Sequence, residues 1–337
     1  MGGCLTLTFL LYFLAENGRI NNFATYLLAI VMLFSIAVPD VRYQLKQLPT
    51  RISILVMLLI AYLSASTAWA DNSGLLPKHM GYAALIVAFV FSLPLLCRRF
   101  PRFLDLLFGL TLLAALISAI ASLYLHFTYP DYQPLPEPRL YALGRLGNPV
   151  ISAVSYAVAI LMAVYLGMQY KHAAQRMVLI LGVVTLLFAV ALTGSRAVWL
   201  ALAVAIGMGI VMNNHGKPKA QFIWFAGVLI AVGCLMFIAV GWEDLTKRAL
   251  SYRPEIWTTF ISQTLTGPWL LGFGSGTDSH WTFEELTFQH PHSIFVSTVY
   301  FGGLIGLLLL VGLLLVCGHL IRQSGERGKA AAMFFTF

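Results

Sequence analysis

The chain has 337 residues, of which 59% are hydrophobic and 10% charged, and its mean hydropathy is +0.83. Soluble domains average about 25% charged residues, so this composition excludes an ordinary soluble protein and predicts a polytopic membrane protein. The formal net charge of +8 does not indicate a nucleic-acid partner, because no basic face is interleaved with aromatic residues. The four cysteines form no CxxC pair, which disfavours a disulfide framework and a zinc site.

A helix needs about 20 apolar residues to cross the hydrocarbon core. That length predicts ten spans and the start of an eleventh at Ala330. The first run begins almost at Met1 without a basic leader or a small-residue cleavage site, so we interpret it as a short span and not as a signal peptide. Because the eleventh run stops with the sequence, we expect the chain to be incomplete at its C-terminus. The ten predicted spans are 4–15, 23–39, 52–70, 80–97, 103–127, 150–169, 177–193, 197–212, 222–241 and 293–317.

The loops that join these spans alternate in charge. Even-numbered loops hold 13 of the 21 Lys and Arg residues and three acidic residues, whereas odd-numbered loops hold the other eight basic and ten acidic residues. The positive-inside rule then predicts that the N-terminus and the even-numbered loops are cytoplasmic. The odd-numbered loops face outward, and they include the two longest connections, 128–149 and 242–292.

The predicted fold class is an all-α polytopic membrane protein of about 10–11 transmembrane helices, with one long outer loop that contains amphipathic helices. No repeat stands out, and no soluble segment is long enough to fold alone, so we expect any chemistry in the outer loops and the adjoining helix ends. The predicted organisation is N-terminal transmembrane helices (1–127), an outer loop (128–149), transmembrane helices with a turn at Arg196 (150–241), a long outer loop (242–292) and a C-terminal transmembrane region (293–337).

Three arginines on the predicted outer side stand in unusual places. Arg196 lies between two apolar runs with almost no loop to hold it in water, Arg253 begins an amphipathic pattern, and Arg145 lies in a Gly- and Pro-containing turn before a span. A charge at the centre of a span costs about 2.5–3.5 kcal/mol on insertion scales. The structural interpretation is a snorkelling or solvated arginine, or a pair of Arg253 with Glu255. The functional interpretation is an anion-binding site at the membrane surface.

The segment SYRPEIWTTFISQTL predicts an amphipathic helix that lies on the outer leaflet. Pro254 fits the first turn of a helix, where its missing N–H costs nothing. A cation such as Arg253 at that end is slightly unfavourable unless it shares an anion with the helix N–H groups. The apolar face of this predicted helix is formed by Ile256, Trp257, Phe260, Ile261 and Leu265.

Two histidines, His290 and His292, directly precede the last complete predicted span. Together with His280 they could bind zinc, but the spacing is unspecific and no CxxC or HExxH motif supports a metal site. A lone histidine at a helix cap is usually structural. Beside a lipid-linked anion, however, a neutral imidazole could take a proton from a hydroxyl nucleophile near pH 7. The glycine-rich LGFGSGTDS predicts a turn, because no GxxxxGK[ST] motif for a nucleotide accompanies it.

Four motifs, in the order GRLGNPV, TGSRAVWLALAV, SYRPEIW and HPHSIFVSTVYFGGLIGLLLL, resemble those of the bacterial O-antigen ligases and the related O-antigen polymerases and pilin oligosaccharyltransferases. Residues 150–320 carry nearly all the resemblance. It implies a glycosyltransferase of the bacterial inner membrane, active in lipopolysaccharide biosynthesis, that uses no metal, nucleotide sugar or other cofactor. Such an enzyme moves a glycan from undecaprenyl pyrophosphate to an acceptor on the periplasmic side. Its partners would be the lipid-linked glycan, the lipid A–core acceptor and membrane lipid.

The resemblance also implies roles for individual residues. Arg196 and Arg253 would hold the donor pyrophosphate with help from Arg145, and Asn148 of GRLGNPV would support the site. Arginine suits this task because its planar fork binds two phosphate oxygens and keeps its charge.

His292 would be the base that activates the acceptor hydroxyl, and His290 would support it. His292 is the closer match, because the family usually has His-Asn or His-Ser directly before the apolar span. This sequence has Ser293 where asparagine is common.

Two alternatives stay open at this point. A polymerase or a protein glycosylating enzyme would use the same chemistry with a different acceptor. The motifs RPEIW and HPHS favour the ligase. A transporter or flippase of a polar or lipid-linked substrate belongs to another class. Transporters tend to place ionisable residues and broken helices near the bilayer midplane, often in inverted repeats. Here the spans are almost free of charge and no repeat is visible, which disfavours that class.

Overall fold

The computed structural model describes residues 1–15, 18–48, 50–129, 139–143, 146–213, 253–283, 286–288 and 290–323. In this part of the chain helices dominate, joined by two short 3-10 helices, Ser66–Trp69 and Ser73–Leu75, and one two-stranded hairpin. The α-helices are α1 Gly2–Leu14, α2 Gly18–Ser35, α3 Pro39–Lys46, α4 Thr50–Ala65, α5 Leu76–Arg99, α6 Phe103–Thr128, α7 Pro149–Gln169, α8 Ala173–Leu192, α9 Arg196–Asn213, α10 Arg253–Thr266 and α11 Ile294–Gln323; the antiparallel strands are β1 Trp281–Phe283 and β2 Leu286–Phe288.

The architecture is that of an all-α polytopic membrane protein, as the composition predicts. Among the described residues, six segments are long and apolar enough to cross a membrane. The predicted spans at 222–241 and from Ala330 onward lie outside the described residues, so the total of 10–11 stays a prediction. The six segments are Thr50–Trp69, Ser73–Arg99, Phe103–Thr128, Pro149–Gln169, Ala173–Leu192 and Ile294–Gln323.

Two of the predicted spans near the N-terminus differ from straight crossing helices. Helix α1 has only 13 residues, in agreement with the short first run of the sequence. The predicted span 23–39 is bent by 97° between Asn22–Ser35 and Pro39–Lys46. Pro39 begins α3, and the residue before a proline is disfavoured in the helical conformation, which explains why the chain breaks there.

The chain divides into two compact units. The first comprises Met1–Leu28, Leu96–Leu245 and Leu320–Phe337, and the second comprises Ala29–Leu95 and Thr246–His319. In the first unit α7 lies among α6, α8 and α9, and alanines on its buried surface let neighbouring helices approach closely. Buried hydroxyls are paired inside this core, because an unpaired one in hydrocarbon is costly. Tyr156 and Ser118, for example, share a hydrogen bond of 3.1 Å.

The second unit contains a break inside α11. At Gly303 the backbone has φ 58° and ψ −157°, so the helical hydrogen-bond ladder is interrupted. The loop 268–274 fills the break with its own backbone, and the groups that the break exposes are thereby satisfied, as an apolar environment demands. The bonds run from the Phe273 and Gly274 N–H groups to the Tyr300 and Phe301 carbonyls (2.8 and 2.9 Å), and from the Leu304 and Ile305 N–H groups to the Trp269 and Leu270 carbonyls (2.9 and 3.3 Å).

Glycine is required on both sides of this contact. A Cβ at Gly272 would lie 2.4 Å from the Gly303 nitrogen, and a Cβ at Gly303 would lie 2.4 Å from the Leu270 carbonyl oxygen. Both glycines also have positive φ, which residues with a side chain rarely adopt. The Tyr62 hydroxyl adds hydrogen bonds of 3.0 Å to the carbonyls of Leu271 and Gly302. The glycine-rich segment is thus a turn packed into a helix break, which confirms the predicted turn.

The break divides α11 into a part that is long enough to cross the membrane and a shorter N-terminal part. Residues 304–323 alone extend about 30 Å at 1.5 Å per residue, which is enough to cross the hydrocarbon core. Residues 294–302 are therefore an extension of the span, and this extension carries the histidine segment at its N-terminal end.

Candidate functional site

The site is built around α10, which begins at Arg253, as the amphipathic pattern predicts. Ile256 and Phe260 are each 1% exposed and pack against Val296 and Tyr300 of α11. The rings of Phe260 and Tyr300 meet edge to face, with centroids 4.8 Å apart. This packing fixes the first turn of α10 beside the N-terminal extension of α11.

The predicted apolar face of α10 is partly buried in the protein and partly exposed. Ile256 and Phe260 are buried within the protein, whereas Trp257, Ile261 and Leu265 remain 36%, 38% and 66% exposed. The sequence predicts one face toward the leaflet; in the structure the protein covers two of its five residues. The three exposed residues form the part that a lipid surface could cover.

A hydrogen bond joins α10 to the histidine segment, residues 290–293. The indole N–H of Trp257 donates to the carbonyl oxygen of Pro291 at 3.0 Å. Pro291 itself is buried. The two histidines that flank this proline are therefore held close to the helix that carries Arg253.

His290 and His292 lie side by side. Their ring centroids are 4.1 Å apart with an angle of 42° between the planes, and both side chains are accessible to solvent. Among the described residues, His292 is the one non-glycine residue with a positive φ, at 54°. Such a backbone costs of order 1–3 kcal/mol and persists where the surroundings impose it, which occurs often at functional sites.

The electrostatic surroundings favour the neutral form of His292. Partial removal of water from its imidazole lowers the pKa of His292 below the ordinary value of 6.5, and electrostatic interaction with His290 and Arg253 lowers it further. At pH 7 the ring is therefore neutral and has a lone pair that can accept a proton.

A second cationic region lies in the other compact unit, at the turn between α8 and α9. Arg196 is the first residue of α9 and is half-buried. The turn before it is core-like, since Thr193 is 0% and Ser195 6% exposed. Arg139 donates its Nε–H to the Thr193 carbonyl at 2.8 Å, and the N–H of Leu140 donates to the Leu192 carbonyl at 2.8 Å.

Arg139 is a structural anchor of the α8–α9 turn that the sequence alone did not predict. It stands 54 positions before Thr193 and belongs to none of the four motifs. The only signal in the sequence is that it is one more arginine in a predicted outer loop. Its contact with the α8–α9 turn becomes visible only when the fold brings the two segments together.

The remaining predicted residues have separate outcomes. Asn148 caps α7: its Oδ1 accepts the Val150 N–H at 2.9 Å, and Pro149 occupies the first turn. A helix cap is thus the role that the structure gives to Asn148. Arg145 lies outside the described residues. The structure brings together Arg253, His290 and His292 in the second unit, whereas Arg196 and Asn148 belong to the first.

His280 has a different environment from the other two histidines. Its Nδ1 contacts the carboxylate of Asp278, and this hydrogen bond lowers the pKa of Asp278. Within the described residues, no group of three or more His, Cys, Asp or Glu side chains is arranged to hold a metal ion.

These features define a class of protein: a polytopic membrane protein with a cation and a neutral imidazole at the helix ends that adjoin its spans. Comparison with known proteins gives the family. The family model described as O-antigen ligase matches residues 181–311, a range that contains Arg196, Arg253, His290 and His292. The chain is 32% identical over 295 residues to an O-antigen ligase of Pseudomonas aeruginosa, in an alignment that covers 86% of this chain and 69% of that protein. The chain therefore belongs to the O-antigen ligase family, which confirms the resemblance. No solved structure gives a significant match.

Proposed function

We propose that this chain transfers an O-antigen glycan from undecaprenyl pyrophosphate to lipid A–core on the periplasmic face of the bacterial inner membrane. The observation that carries the proposal is the hydrogen bond from Trp257 to Pro291, which holds the accessible His292 close to the helix that begins at Arg253. Family membership supports a glycosyltransferase-like enzyme in general, with a lipid-linked glycan and a lipid acceptor. The site residues supply the specific mechanism that we propose.

In the proposed reaction, the acceptor hydroxyl oxygen attacks the anomeric carbon of the donor glycan. His292 accepts the hydroxyl proton as the new glycosidic bond forms, and the bond between the anomeric carbon and the pyrophosphate oxygen breaks. The leaving undecaprenyl pyrophosphate gains negative charge at that oxygen. Arg253 offers fixed positive charge that stabilises this development, and we assign Arg196 and Arg145 to the same anion.

The start of α10 adds to the affinity for the anion. The first backbone N–H groups of a helix have no partner within the helix, and the helix dipole is positive at this end. A pyrophosphate there could accept bonds from these groups and from the Arg253 guanidinium, whose fork binds two oxygens. This arrangement lets arginines do what a metal ion does in other glycosyl transfers, so we propose a reaction without metal or nucleotide.

The orientation in the membrane follows from the loop charges. The excess of Lys and Arg in the even-numbered loops supports a cytoplasmic N-terminus and a periplasmic site. The donor lipid would then approach α10 from the outer leaflet. Reaction of a single cysteine, substituted near Asp278, with an impermeant thiol reagent in intact spheroplasts tests this orientation.

The acceptor distinguishes the ligase from its relatives. The P. aeruginosa relative is named an O-antigen ligase, which favours lipid A–core over a second repeat unit or a protein. Gel analysis of lipopolysaccharide from a deletion strain separates these outcomes. Loss of a ligase leaves bare core and lipid-linked polymer, whereas loss of a polymerase leaves core with a single repeat.

The direct test is transfer by the purified protein in lipid nanodiscs. The donor is a synthetic undecaprenyl-pyrophosphate glycan, the acceptor is rough lipopolysaccharide, and the buffer contains chelator and no nucleotide. We expect glycosylated lipopolysaccharide to form under these conditions. A requirement for added metal, or transfer to a protein acceptor alone, would overturn the proposal.

A further inference from the structure

We propose that Trp257 is a positioning residue that sets the backbone of His292 through the hydrogen bond from its indole to Pro291. The inference rests on the proposed function, because it assigns Trp257 to the site of the same reaction. It adds a residue that takes no proton and binds no anion in that mechanism and acts instead through Pro291 and His292.

The placement of Trp257 on α10 links the cation to the histidine segment. Trp257 follows Arg253 by four residues, so both side chains lie on the same side of the helix. The indole N–H reaches the Pro291 carbonyl at 3.0 Å. Meanwhile Ile256 and Phe260 hold α10 against α11. One helix therefore carries the anion-binding group and also fixes the segment that bears the base.

The backbone of His292 needs such a restraint. Its φ of 54° is sparsely populated for a residue with a side chain. On its C-terminal side the start of α11 restrains it: the Ser297 N–H donates to the Ser293 carbonyl at 2.8 Å, and the Val296 N–H donates to the Ser293 hydroxyl at 3.4 Å. On its N-terminal side the indole holds the Pro291 carbonyl. The left-handed residue stands between these two anchors.

Pro291 is suited to this contact. A proline has no N–H and its φ is fixed, so its carbonyl oxygen is its one backbone hydrogen-bonding group. Because Pro291 is buried, that oxygen needs a donor, and the indole supplies one. Losing the indole N–H would free the peptide between Pro291 and His292 to rotate, which would move the imidazole.

A competing explanation is that Trp257 only anchors the protein at the membrane surface. Tryptophan is enriched there because its ring is apolar and its N–H is polar. Trp269 provides the matched comparison, since it lies in the turn after α10 and its ring is 52% exposed. An anchoring role predicts similar effects at both tryptophans, whereas a positioning role predicts an effect on His292 at Trp257 alone.

The test compares Trp257→Phe with Trp269→Phe in the purified full chain in nanodiscs. Each variant keeps an apolar ring and loses one N–H. We expect Trp257→Phe to lower kcat by about three- to tenfold, as for the loss of one hydrogen bond. Its KM for the donor should be unchanged, because Arg253 is intact. We expect Trp269→Phe to match the wild type.

A second readout does not depend on transfer. Diethyl pyrocarbonate modifies neutral imidazoles, and peptide fragmentation by mass spectrometry separates His290 from His292. Among the described residues, His290 and Arg253 influence the pKa of His292, and Glu255 lies in the first turn of α10; Trp257→Phe changes none of these groups. We therefore expect Trp257→Phe to shift the pH dependence of His292 modification because the imidazole moves, and not because a charged neighbour is lost.

The two readouts separate the possible failures. If His292→Ala retains full transfer, the proposed base is wrong, but altered His292 modification in Trp257→Phe would still support the positioning role. If His292 is modified identically in Trp257→Phe and in the wild type, the positioning role is wrong whatever the transfer rate. Equal losses in both phenylalanine variants would likewise overturn it in favour of anchoring.

Discussion

The histidine segment and the Arg196 turn present their candidate functional groups in opposite ways. His292 is accessible, and its neighbours restrain it through one indole and the start of α11. Arg196 follows a turn whose Thr193 and Ser195 are buried, and Arg139 anchors that turn. The accessible His292 can therefore be substituted with little effect on folding. The turn before Arg196, in contrast, is part of the packed core. Substitutions should therefore affect chemistry first at His292 and stability first at the Arg196 turn.

The largest expected effect is that of His292→Ala on transfer. Loss of a general base typically reduces a rate by about 10²–10⁴-fold. Because the side chain is accessible, we expect normal membrane insertion and unchanged thermal unfolding in detergent. The measurement is transfer by the reconstituted protein, supported by lipopolysaccharide gels from cells without a second ligase.

The matched control for this variant is His280→Ala, since His280 lies in the same predicted outer loop but contacts Asp278. We expect near wild-type transfer from the control. Wild-type transfer from His292→Ala itself would remove the base from the mechanism.

Arg253→Lys tests whether the anion needs the two parallel N–H groups of a guanidinium or only a positive charge. Lysine keeps the positive charge but loses the two parallel N–H groups. A charge-assisted hydrogen bond is worth about 1.5–3 kcal/mol, so we expect transfer to fall by roughly 10- to 100-fold. Arg253 is exposed at the start of α10, and its replacement should leave thermal unfolding unchanged.

Arg196→Lys is the partner measurement for that prediction. We expect the same order of loss in transfer, accompanied by lower stability because Arg196 follows a buried turn. If lysine serves as well as arginine at both positions, bidentate binding of the pyrophosphate is wrong.

The proposed reactive groups stand in short sequence motifs, whereas the contacts that hold them do not. Arg253, His290 and His292 lie in short motifs whose residue types and order are visible in the chain. The contacts of Trp257 and Arg139 depend on which carbonyl lies within reach after folding, which no local pattern records. The apolar face of α10 shows the same limit: its side chains look alike whether protein or lipid covers them.

The fold shows a similar division between what is predicted and what is not. Apolar runs identify the spans, because length and hydropathy suffice for that. The break in α11 is hidden inside one continuous apolar run, 293–317, and only the Gly302–Gly303 pair hints at it. The break exists because a loop 30 residues earlier supplies the missing hydrogen bonds. Broken helices are frequent in transporters, but here protein backbone fills the break.

Arg139→Gln tests the stability side of the comparison. The variant loses the charged donor to the Thr193 carbonyl in a partly buried setting. We expect destabilisation of about 1.5–3 kcal/mol, measured by thermal or chemical unfolding in detergent. The matched control is Arg176→Gln, because Arg176 makes the same kind of bond, from Nε to the Tyr170 carbonyl at 2.8 Å, in an exposed position. Equal stability changes in the two variants would contradict a core-like Arg196 turn.

The smallest expected effect is a shift in the acidic limb of the pH profile. The base works only when His292 is neutral, and its pKa lies below 6.5, so wild-type transfer should persist to mildly acidic pH and fall as pH drops through that lowered pKa. His290→Asn removes a neighbouring positive charge that lowers the pKa of His292. The pKa should therefore rise, and the acidic limb should move to higher pH.

The measurement for this shift is kcat/KM between about pH 5 and pH 8, where histidine titrates. His280→Asn is the control, because His280 is not among the groups that shift the pKa of His292. Its limb should coincide with that of the wild type. A limb that stays in place or moves to lower pH in His290→Asn would mean that the charge of His290 does not act on the base. The pair of rings would then contribute to the site through packing alone.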